Sequence, residues 1–151
     1  MADLSEHEEL SLHLLVVLAR AYNSVFAHST RSIQAHGLNS TEFGVLDVLY
    51  HKGPQPLQKI GEKVLISSGN ITYVVDKLQK KKLLIRRASL EDRRVIYAEL
   101  TEEGQALFED IFPGHKQKIE HAVSGLTEEE KLQAVVLLRK LGTTAEESFR
   151  R

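Results

Sequence analysis

Apolar side chains recur at helical spacing along most of the chain. Leu14, Leu18, Ala21 and Val25, with Ser29 or Thr30 next in the series, share one face of a stretch from Leu10 to Ile33. No proline or glycine interrupts it, which predicts a long first helix. Gly37 ends that helix. Asn39 with Glu42 three residues on is a capping-box signature for a second helix, whose inner face is Phe43, Leu46 and Leu49 or Tyr50. That helix is expected to stop near Lys52-Gly53-Pro54. Gln55-Pro56 then opens a short third helix with Leu57, Ile60 and Val64 inward, and Ser67-Ser68-Gly69-Asn70 forms a turn and a helix start.

The fourth helix divides cleanly. Ile71, Val74, Val75 and Leu78 fall on one side; Gly69, Thr72, Tyr73, Asp76 and Lys80 fall on the other, with no bulky aliphatic among them. Two short helices, a tight turn and a helix with a polar outer face outline a helix-turn-helix. Leu83 to Arg87 and Val95 to Leu100 read as strands around a polar, charged loop from Ala88 to Arg94, and predict a β-hairpin with a long tip, a wing. A fifth helix starts at Thr101-Glu102-Glu103-Gly104 and carries Leu107, Phe108, Ile111 and Phe112, with Pro113 expected to kink or break it. After Gly125, Thr127 with Glu130 is a second capping box, for a last helix bearing Leu132, Val135, Val136, Leu138 and Leu141. The fold class predicted is mainly α with a small hairpin wing. Residues 37–101 form a winged helix-turn-helix domain, and 1–36 with 102–151 form a helical dimerisation region. Those terminal helices are more apolar than a winged helix needs for its own cover, and a second copy is the simplest partner.

Composition adds little until charge is mapped. Apolar residues make up 42% and charged residues 27% of 151, ordinary for a globular domain, and no cysteine is present to serve a disulfide, thiolate metal site or thiol sensor. The acidic amino end, Met1 to Glu9, is unlike a secretory signal. The longest apolar run, Leu14 to Ala19, falls short of the roughly 20 residues a membrane span takes, so a cytoplasmic protein without membrane contact is expected. The net charge of −1 argues against nucleic acid, but its distribution argues for it. From Lys77 to Arg94, eight basic residues face two acidic ones. One basic face on an otherwise acidic body is the footprint of a phosphate-binding surface.

Asp92-Arg93-Arg94, the strand ending Leu100-Thr101 and the helix start with Gly104 resemble the wing motif of the MarR family of bacterial regulators. Gly37-Leu38-Asn39 with Glu42 to Leu46 is similar to that family's second helix, and Ser68 to Leu78 to its recognition helix. The wording of Tyr50-His51-Lys52-Gly53 and of Ile71 to Leu78 is similar to the MhqR-like subgroup, whose members respond to quinones. The resemblance implies a homodimer on an inverted-repeat operator in double-stranded DNA, acting as a repressor, with a small aromatic effector and no cofactor. Two positions depart from it. Tyr73 stands where many relatives carry arginine, and Lys82 where they carry glycine, so base preferences at Tyr73 do not transfer.

A recognition helix reads base edges in the major groove with its amino-terminal residues. Ser67, Ser68 and Asn70 are candidates for phosphates or base edges, with helix capping the competing role for the serines. Thr72 and Tyr73 are candidates for base readout, and Lys77 for a contact on the same helix. In the wing, Arg94 fits a narrow minor groove, and Asp92 is placed to hold its fork. Arg86, Arg87 and Arg93 are assigned to backbone phosphate. For the effector, His13, Tyr22, Phe26, Phe43 and Tyr50 offer rings and polar handles, with ordinary core packing as the competing role for each. Seven histidines raise metal sensing, but His7–His13 and His115–His121 are each six apart, which separates the members on a helix, and no metal site is assigned. No phosphate loop, nucleophile elbow or His-Glu-x-x-His helix supports an enzyme. The alternative is a winged helix serving only as a protein-interaction module, which has no need of the basic segment or of Asp92-x-Arg94.

Overall fold

The computed structural model describes residues 4–64 and 68–150. In order they form α1 (Glu6–Gln34), α2 (Ser40–Lys52), β1 (Gln55–Pro56), α3 (Leu57–Lys63), α4 (Ser68–Lys80), β2 (Leu84–Ala88), β3 (Ile96–Leu100), α5 (Glu102–Ala122) and α6 (Glu128–Phe149). A mainly helical chain with one small antiparallel sheet is the fold class expected. α1 begins earlier than its apolar spacing indicates because Ser5 and Glu8 close a capping box, each accepting from the other's backbone amide. The boxes at Asn39–Glu42 and Thr127–Glu130 also form.

One expectation is corrected and two are narrowed. Gln55 and Pro56 do not open a helix: they are an edge strand, paired with Ala98 and Tyr97, so the sheet has three strands in the order β1-β3-β2. Pro56 tolerates this because an edge strand leaves its missing donor unneeded. α5 is not broken at Pro113 but runs through it from Glu102 to Ala122. Finally, α1 is by length and composition apolar enough to cross a bilayer, which a count of consecutive apolar residues misses because Arg20 and Asn23 interrupt the run.

One core holds the wing and the helix-turn-helix together. It contains Leu46, Ile60, Ile71, Val75, Leu78 and Leu84, all essentially sealed from solvent. Ile33 of α1 and Phe108 and Ile111 of α5 are buried in it as well, so the core crosses the 37–101 boundary drawn from sequence. The junction from β3 to α5 is tight. Thr101 donates its amide to the Leu83 carbonyl at 3.1 Å and its hydroxyl to the Lys82 carbonyl at 2.6 Å, then caps α5 at Gly104 N. A Cβ on Gly104 would stand 1.9 Å from the Leu83 carbonyl oxygen, which is why the helix start needs glycine there. Lys82 sits at φ 61°, a left-handed conformation that favours glycine.

Candidate nucleic-acid interface

α4 presents the face its sequence pattern predicts. Ile71, Val74, Val75 and Leu78 point into the core, while Asn70, Thr72 and Tyr73 are exposed, Tyr73 at 64%. Ser67 lies outside the described residues, as does the side chain of Ser68. Lys77 is drawn in two directions: its ammonium lies 5.7 Å over the Tyr73 ring and 3.9 Å from Glu42 of α2. Glu42 is a buried carboxylate, 2% exposed, that also accepts from Lys81 at 2.7 Å. Lys81 donates further to the Gly37 carbonyl, so it ties the α1–α2 turn to the end of α4. The capping-box pattern drew attention to Glu42 only as a cap; its charge partners come from a helix far along the chain.

Across the hairpin, register sets which arginines reach outward. β2 and β3 pair from Leu84↔Leu100 to Ala88↔Ile96. Beyond them, residues 89–95 form the wing tip. Arg94 there is 90% exposed along its side chain and donates three times to Asp92: backbone N to Oδ1 at 3.0 Å, Nε to Oδ1 at 3.1 Å, and Nη2 to Oδ2 at 3.2 Å. Those bonds, the guanidinium's first, hold the Asp92 carboxyl below the usual aspartate range. At such exposure the pair adds little stability, but it does orient the fork. Ser89 braces the same turn, its hydroxyl accepting from the amides of Glu91 and Asp92.

The remaining basic residues separate into two kinds. Arg93, Lys80 and Lys82 are exposed and free of ion pairs among the described residues. Arg87 pairs with Glu99 at 2.7 Å. Arg86 is half-buried and turned inward, donating Nη1 to Gln79 Oε1 at 2.9 Å and Nη2 to both the Thr72 carbonyl and the Asp76 carboxylate. Its donors are thus engaged within the protein rather than offered to a backbone phosphate.

The five effector candidates do not converge on one spot within a single chain. Tyr22 and Phe26 stack at 4.3 Å on α1, beside an open cleft of about 550 Å³ against α2 that includes Thr30, Arg31 and Ser40. Phe43 and Tyr50 instead surround Phe108 of α5, at 5.4 and 4.6 Å between ring centres. The Tyr50 hydroxyl donates to Glu109 at 3.1 Å, which raises its pKa. His13 is exposed nine residues before Tyr22, roughly 13 Å along the helix. His115, weighed from sequence only as a metal-ligand candidate with His121, lies 4.6 Å from the Phe43 ring with its Nδ1 buried and without a hydrogen-bond partner among the described residues. Burial lowers its pKa, against an opposing pull from Asp47.

The MarR family model matches residues 38–96, from the start of α2 to the start of β3. The transcriptional regulator MhqR of Bacillus subtilis is 53% identical over 92% of this chain and 96% of its own. BpsR of Bordetella bronchiseptica, solved in a study of how 6-hydroxynicotinic acid regulates its DNA binding, superposes with a TM-score of 0.77 at 29% identity, covering 86% of this chain and 98% of that one. Sco3205 of Streptomyces coelicolor, a MarR-family regulator solved in complex with DNA, superposes with a TM-score of 0.81 at 22% identity over 94% of this chain and 89% of its own. With a winged helix-turn-helix, an outward α4 and a basic wing in place, this chain belongs to the MarR family of transcriptional regulators.

Proposed function

We propose that the chain is a cytoplasmic repressor that binds an inverted-repeat operator as a homodimer and is released by a small aromatic effector. The observation that carries the DNA-binding geometry is the Asp92-braced Arg94 fork at the wing tip, together with the exposed Asn70, Thr72 and Tyr73 on α4. The helix offers side chains to a major groove, and the wing offers a planar cation to the adjoining minor groove, where negative potential is strongest. Arg93 and Arg87 add phosphate affinity without sequence information.

The apolar surfaces of α1 and α6 support the homodimer, since a second copy covers both helices at once and a two-fold axis follows. Two-fold symmetry requires half-sites about one helical turn apart. For the effector, the exposed Tyr22–Phe26 stack beside Arg31 and the aromatic group around Phe108 supply ring contacts with polar neighbours. A phenol or quinone suits them, and BpsR supplies a precedent for an aromatic regulator of DNA binding. Such a ligand acts by favouring a dimer whose recognition helices no longer match the half-site spacing, at a coupling of about 1–3 kcal/mol.

Fluorescence anisotropy against tiled fragments of the upstream DNA, at two salt concentrations, tests the reading. Tight binding confined to one fragment with an inverted repeat is expected, falling steeply as salt rises. Arg94→Ala is expected to weaken that binding by about tenfold or more at an unchanged melting temperature. Failure to bind either these fragments or a random-sequence selection transfers the chain to the alternative, a protein-interaction module.

A further inference from the structure

We infer that Arg86 is a positioning residue which fixes the angle between the recognition helix and the wing; this rests on the DNA-binding reading above. Its three acceptors belong to residues 72, 76 and 79, a single ridge along α4. The residue itself lies mid-hairpin on β2, opposite the fully buried Ala98 of β3. One guanidinium therefore clasps more than a turn of the helix proposed for the major groove, from the middle of the hairpin whose tip carries Arg94. The planar fork sets direction as well as distance, which a lysine ammonium cannot do. Asp76, 48% exposed along its side chain on the outward half of α4, is otherwise a misplaced charge: a carboxylate there repels phosphate. As the Arg86 anchor, its place on that face is explained.

A phosphate contact and a positioning contact have opposite signatures. If Arg86 touched phosphate, Arg86→Lys would keep the charge and bind nearly as well, and Asp76→Asn would bind as well or better by removing a negative charge. If Arg86 positions, both variants lose the inverted-repeat duplex by about tenfold, the scale at which a broken charge network couples. Binding to random-sequence duplex stays within about twofold, and the dependence of log affinity on log salt keeps its slope because no phosphate contact is lost.

The experiment titrates wild type, Arg86→Lys and the isosteric Asp76→Asn against both duplexes over a salt series. Melting curves correct each affinity to the folded fraction. Loss of discrimination in both variants at a constant slope is the expected result. Wild-type-like Arg86→Lys, tighter Asp76→Asn, or a lower melting temperature with an unchanged ratio of specific to random affinity each overturns it. A wild type that fails to discriminate the duplexes overturns the DNA-binding reading itself, and is told apart because it appears before any substitution.

Discussion

Leu46, Leu78 and Leu84 of the winged lobe are completely enclosed, whereas Leu15 of α1 and Leu132 and Val136 of α6 stand 63, 64 and 66% exposed. Every buried hydrophobic among the described residues lies between Ile33 and Ile111, and α6 contributes none. The lobe satisfies its apolar surface with its own chain. The two terminal helices present theirs outward, and each large aliphatic side chain taken from water contributes about 1.5–3 kcal/mol. So the DNA-reading half owes its shape to internal packing, while the other half depends on what the proposed second copy supplies.

The largest expected effect breaks the exposed side. Leu132→Glu with Val136→Glu puts two carboxylates on one face of α6, and two-fold symmetry places four in the dimer. Burying unpaired charge costs several kcal/mol, enough to separate the protomers. Sedimentation is expected to shift from dimer to monomer while the lobe keeps its helical circular dichroism. A dimer of unchanged stability would mean that this face of α6 is not the contact.

Gly104→Ala strikes the lobe instead. The new methyl meets the Leu83 carbonyl at 1.9 Å, and that carbonyl is fixed by its bond from the Thr101 amide, so neither side yields easily. A loss of about 3 kcal/mol is expected in denaturant unfolding, at the upper end for an overpacked site. The contrast with the α6 pair is the point: this substitution lowers stability at any protein concentration, whereas the other changes how stability depends on concentration.

Where the two regions differ in packing they also differ in how far sequence reveals them. The split of α4 into Ile71, Val74, Val75 and Leu78 against Thr72 and Tyr73 is legible because a 3.6-residue period separates core from surface along one element. The Asp92–Arg94 pair is legible because it is local. β1 is not, since two residues carry no period and Pro56 reads as a helix opener. Arg86 looks like one more cation in a basic run, because its acceptors at 72, 76 and 79 meet it only after the chain reverses. For the same reason Phe43, Tyr50 and Phe108 do not announce a shared cluster. His115 reads only as half of a histidine pair, because its contact with Phe43 is tertiary.

His115 lies on the seam between α2 and α5, and gives the smallest and most local test. Its pKa is lowered from an ordinary value of about 6.5 by burial, with the Asp47 carboxylate pulling the other way. Asp47 is itself engaged by His51 at 3.1 Å. The neutral imidazole is therefore the form the folded lobe prefers. Above the unfolded value both states carry it neutral and stability is full. As pH falls below that value the unfolded chain binds the proton first, so stability declines until the lower folded pKa is passed. Partial exposure screens the effect, and a difference of ~1 °C in Tm between pH 7.5 and 5.5 is expected to vanish in His115→Gln. An identical pH slope in the variant would mean that His115 is not the source of the acid sensitivity.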